Sequence, residues 1–128
     1  MATLGAARAM AVTMPGSVSV PIDHDHLARY TFGNRELEIE VLNLFAEQSP
    51  AYLDNMRDTQ TEKGWRDAAH TLKGSARAVG ALHVAELAER AEALRSSTDA
   101  AAKRAMIDAL ADAIDEARAH IAALEVAF

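Results

Sequence analysis

Residues 66–81 read "RDAAHTLKGSARAVGA", from Arg66 to Ala81. Place these residues on a helix at about 100° each, with His70 at zero. Trp65, Ala68, Ala69, Leu72, Ala76 and Val79 then gather around 200°. One apolar face at helical spacing predicts an amphipathic helix from about Glu62 to Val79, with Gly80 ending it. His70 falls nearly opposite that face, toward solvent. Arg66, Lys73 and Arg77 share the sector from about 300° to 340°, a basic flank beside the imidazole. Gly74 falls near 40°, one turn beyond His70 on the same side. A glycine inside a helix is about 1 kcal/mol less favourable than alanine. A longer side chain there would stand over the ring, whereas glycine leaves the ring open to an incoming group. The plainer alternative for Gly74 is a weakness that the helix tolerates.

The text on either side is also helical. "DHDHLARY" predicts a short leading helix with Asp23 as its N-cap, and "FGN" punctuates it. Asn34 can cap a long helix in which Leu37, Val41, Leu44, Phe45, Tyr52 and Met56 follow helical spacing and Pro50 is a possible kink or break. After "DTQTEKG" comes the His70 helix. A further helix runs from about Leu82 to Arg95. "SSTD" offers a cap for a last one, whose stripe is Ile107, Leu110, Ile114, Ile121 and Leu124. No run alternates apolar and polar residues over the length of a strand. Short connections favour antiparallel neighbours, and amphipathic helices of this length need mutual burial. The expected fold is all-α: an antiparallel up-down-up-down four-helix bundle with a short additional N-terminal helix. Residues 21–128 form this domain. Residues 1–20 are expected to be a flexible tail, since Arg8 and Pro15 interrupt the apolar section that a secretory signal would need.

Composition narrows the function. The net charge of −6 argues against general nucleic-acid binding, which needs a strongly basic surface. No apolar run approaches a membrane span. Without cysteine there is neither a disulfide nor a thiolate metal site, which fits a cytoplasmic location. His24 and His26 flank Asp25, but a third ligand is not evident, and ordinary helix-start residues are the better account. Inward Glu-x-x-His pairs, the mark of a di-metal bundle, are not found, so no metal is expected. Trp65 has the phase of a packing residue.

An exposed imidazole with a pKa near 6.5 keeps a neutral, nucleophilic form abundant at neutral pH. His70 could therefore accept a phosphoryl group on a ring nitrogen, with Lys73 and the arginines favouring the added negative charge. His70-Thr71-Leu72-Lys73-Gly74, followed by Gly80, resembles the His-x-x-Lys-Gly signature of histidine-containing phosphotransfer domains. The resemblance covers roughly Pro21 to Leu124. It implies that His70 is the phosphoacceptor, through Nε2, that Lys73 helps hold the phosphoryl group and that Gly74 gives access. It implies a phosphorelay carrier in two-component signalling, passing a phosphoryl group between receiver-domain aspartates or taking it from a sensor histidine kinase.

Such a chain is not an enzyme with its own ATP site, and no glycine-rich phosphate loop is present. No intrinsic cofactor is expected, Mg²⁺ belonging to the partner receiver. Expected partners are response-regulator receivers and a hybrid histidine kinase, contacted through Arg66, Lys73 and Arg77. The chain itself is expected to be monomeric. Glu92 is the candidate for orienting the ring through Nδ1. Its spacing from the histidine resembles the glutamate of chemotaxis-kinase phosphotransfer domains, whereas many other members place glutamine there. Alternatively, Glu92 is a surface residue paired with Arg95 or a nearby arginine, and Glu89 is a weaker candidate for the orienting role. The alternative function is a docking module that binds a receiver or kinase without being phosphorylated.

Overall fold

The computed structural model describes residues 20–94 and 100–127. These residues form five helices and no strand: α1 (His24–Thr31), α2 (Arg35–Asp58), α3 (Glu62–Val79), α4 (Leu82–Glu92) and α5 (Ala100–Ala127). The predicted tail, apart from Val20, and the "SSTD" cap lie outside the described residues.

Side chains at the N-termini start three of the helices by satisfying backbone amides that the first turn leaves without partners. Asp23 accepts from the His26 amide, Asn34 from that of Leu37 and Thr61 from that of Gly64. Pro50 lies inside α2 without dividing it. The end of α4 comes earlier than the periodicity suggests. The amide of Leu94 reaches back three residues to the Ala91 carbonyl, at 3.1 Å, and tightens the last turn. That same carbonyl accepts the Trp65 indole N–H at 2.6 Å.

The four long helices touch in the order α2–α3–α4–α5, and α5 returns to α2, which closes a bundle. Each stripe faces the centre. On α3 the buried residues are Trp65, Ala68, Ala69, Leu72, Ala76 and Val79, the face read from spacing. On α4 they are Val84, Ala85, Leu87, Ala88 and Ala91. So many alanines let α3 and α4 approach closely.

On α2 the expected spacing holds for Phe45 and Met56, which are buried, and for Val41 and Tyr52, which pack against the core, but not for Leu44. Leu42, Phe45, Ser49, Leu53 and Met56 are buried, while Leu44 is half exposed. Apolar residues occur on several faces of this helix, so sequence spacing alone does not select the inward one.

Helix α1 packs across α2 and α3. The Asp23 amide donates to the Gly80 carbonyl at 2.8 Å, and His26 Nε2 lies 2.6 Å from the Arg77 carbonyl. Gly80 takes φ +82 at the α3–α4 corner. A Cβ there would stand 2.6 Å from the Asp23 carbonyl oxygen. The glycine therefore serves both the left-handed turn and the close passage of the N-terminal segment. No described helix is long and apolar enough to cross a membrane.

Candidate functional site

Helix α3 carries His70 on its outer face, opposite the buried stripe, and the side chain is 69% exposed. The flanking buried residues Ala69 and Leu72 fix the rotation of the helix, and that rotation fixes where the imidazole emerges.

Glu92, the last residue of α4, meets α3 from the side. Its Oε2 lies 2.9 Å from His70 Nδ1, and its Oε1 lies 2.6 Å from Lys73 Nζ. One carboxylate thus spans two residues of the neighbouring helix. The Lys73 ammonium, first, and the imidazole, by a smaller effect, hold the Glu92 carboxyl below its ordinary range, with desolvation opposing them. Glu92 is therefore ionised at neutral pH and can only accept hydrogen bonds. In a neutral His70 ring the proton must then sit on Nδ1, leaving the lone pair on Nε2. A carboxylate behind an imidazole fixes both tautomer and orientation in this way.

A Cβ built at Gly74 meets no atom within 4 Å. Nothing among the described residues requires glycine at this position. Between α2 and α3 a shallow groove, which does not include His70, is lined by Tyr52, Asn55, Thr59, Gly64, Asp67, Ala68 and Thr71. A Cβ on Gly64 would overlap the Thr59 hydroxyl at its edge.

The basic flank read from the wheel is present as positions but not as free charge. Arg66 pairs with Glu62 at 3.1 Å, Arg77 with Glu89 at 3.4 Å and Lys73 with Glu92. Lys63 pairs with Asp67 on the same face, and this contact keeps the Asp67 carboxyl low. The face around His70 is a lattice of paired charges. Two of these pairs, Glu62–Arg66 and Lys63–Asp67, lie four residues apart within α3, but its wheel could not show the other two, because Glu89 and Glu92 belong to α4. Their spacing of three residues, facing Arg77 and Lys73 at a spacing of four, was the available signal. Arg95, the other partner considered for Glu92, lies outside the described residues.

The geometry suits group transfer to and from a partner. The ring is convex and open, its rear nitrogen is held by a carboxylate, and one flank lacks a side chain. A cleft at the bundle end, lined by Trp65, Arg57, Lys103 and Arg104 among others, does not include His70.

A family model described as "Hpt domain" matches residues 40–120, more than half of the chain. No curated protein and no solved structure gives a significant match.

Proposed function

The chain belongs to the Hpt domain family, and we propose that it carries a phosphoryl group on His70 Nε2 between receiver-domain aspartates, or from a histidine kinase to a receiver. Membership implies a part in histidine phosphotransfer; the residue roles are our assignment. The observation that carries the assignment is the exposed His70 ring with its Nδ1 on Glu92.

In the proposed step, the Nε2 lone pair attacks the phosphorus of an aspartyl phosphate. The N–P bond forms as the acyl P–O bond breaks, and the aspartate leaves as carboxylate. The ring keeps its Nδ1 proton and becomes positive, and the Glu92 carboxylate stabilises that charge. Transfer onward reverses these bond changes. Lys73 has three donors and spends one on Glu92, so two remain for phosphoryl oxygens. Gly74 leaves room for the receiver's loops. The divalent cation of aspartyl-phosphate chemistry would be supplied by the receiver. Docking through the paired face would exchange Arg66 and Arg77 from their own glutamates to acidic groups of the partner, at little net cost because exposed pairs contribute only about 0–1 kcal/mol.

The test is transfer from a radiolabelled phospho-receiver. Wild-type chain should take up label that is acid-labile and base-stable, and His70→Gln should take up none. Glu92→Ala should slow transfer by about two- to tenfold, the effect of losing one hydrogen bond. Label retained by His70→Gln would overturn the site. Binding of a receiver with no label in the wild type would favour the docking-only alternative.

A further inference from the structure

A second meeting of polar groups lies between the two ends of the chain. His24 opens α1, and His120 lies in the C-terminal half of α5. Their Nε2 atoms are 2.9 Å apart. The ring centroids are separated by 5.1 Å, with the planes tilted by 51°. Two imidazole nitrogens from different helices thus converge on one point.

Both helices are anchored independently of this contact. Leu27 is buried under α1, and the Asp23–Gly80 and His26–Arg77 hydrogen bonds fix its start. On α5 the buried residues Ala117 and Ile121 flank His120. A tetrahedral zinc ion takes imidazole nitrogens at about 2.0–2.1 Å, which puts two such ligands about 3.3 Å apart. The observed separation is short of that by only a few tenths of an ångström. Side-chain rotation can supply the difference.

We propose that His24 and His120 form a two-imidazole site for a late first-row divalent cation such as Zn²⁺, which pins α1 to α5. Binding exchanges one N–H···N hydrogen bond for two nitrogen–metal bonds. The ring that donated moves its proton to Nδ1, so both Nε2 lone pairs face the metal. Imidazole donors select zinc, nickel or copper over magnesium or calcium. Among the described residues no group of three histidine, aspartate or glutamate side chains is placed to hold a metal. Water fills the remaining positions, and the site is open and exchangeable. It uses neither His70 nor Glu92.

Isothermal titration of the metal-free full chain with Zn²⁺ at neutral pH tests this. Wild type and His70→Gln should bind one ion with equal affinity. His24→Gln and His120→Gln should each bind at least about tenfold more weakly, as loss of a metal-site contact does. Zinc should raise the melting temperature of wild type and not of His24→Gln, because a ligand of the folded state stabilises it by mass action. His24 is exposed on a first turn, so its variant keeps the fold, and circular dichroism checks this for both. No binding by wild type, undiminished binding by His24→Gln, or loss confined to His70→Gln overturns the proposal.

Discussion

At His70 the side chains divide into those that face the ring and one that is missing. Gly74 is open on all sides, so alanine there should gain the ordinary helix preference of about 0.5–1 kcal/mol. Denaturant unfolding should show Gly74→Ala more stable than wild type. Gly74→Phe should fold as well but accept label more slowly, since its ring stands where a receiver must approach. Equal transfer rates would remove the access argument. Glu92 adds a pH dependence. Its folded pKa is depressed by Lys73 and His70, so the ion-pair contribution is complete above the unfolded value near 4.5 and is lost as pH falls through the lower folded value. Thermal melts over that acid range should show Glu92→Gln with a flatter profile than wild type. The outward direction of His70 was legible because six apolar residues of one helix define its opposite face. The bond from Lys73 to Glu92 left only a faint trace, the matched spacing of the two pairs, because it depends on the angle at which α4 crosses α3.

Among the elements, the α3–α4 corner is the tightest. Gly80→Ala combines a left-handed conformation with a collision against the Asp23 backbone and should cost about 2 kcal/mol or more. Chemical denaturation measures the loss, and amide exchange at Asp23 and Leu27 should rise with it. Helix existence and capping were readable because Asp23, Asn34 and Gly80 have strong positional preferences. The inward face of α2 was readable only in part. Leu44 and Phe45 are adjacent and equally apolar, and the placement of α2 against α3 and α5 leaves Phe45 buried and Leu44 half exposed.

For the whole molecule, packing sets the His70–Glu92 contact through the distance between α3 and α4. Ala69 and Ala76 of α3 and Ala85, Ala88 and Ala91 of α4 are all buried, and the two helices pack together. Ala88→Leu overfills this seam and should cost about 1–3 kcal/mol in denaturant unfolding. It should also slow transfer about as much as Glu92→Ala does, because widening the seam draws the carboxylate from the ring. A variant destabilised in this way with an unchanged transfer rate would separate packing from function. The all-helical bundle was legible from periodicity and short connections. Contacts between distant parts of the chain were not: His24 and His120 are 96 positions apart, and neither carries a local signal of the other.

Trp65 is the chain's single tryptophan, and it lies 5% exposed where three helices meet. Its indole N–H is held by Ala91 of α4, and the Lys103 ammonium of α5 sits 5.2 Å from the ring centroid. The protein therefore has a native fluorophore where α3, α4 and α5 meet, at the end of the bundle. Parting of α3 from α4 would release the indole into water and shift its emission to the red, so the closeness on which the Glu92 contact depends is something light can follow without a label.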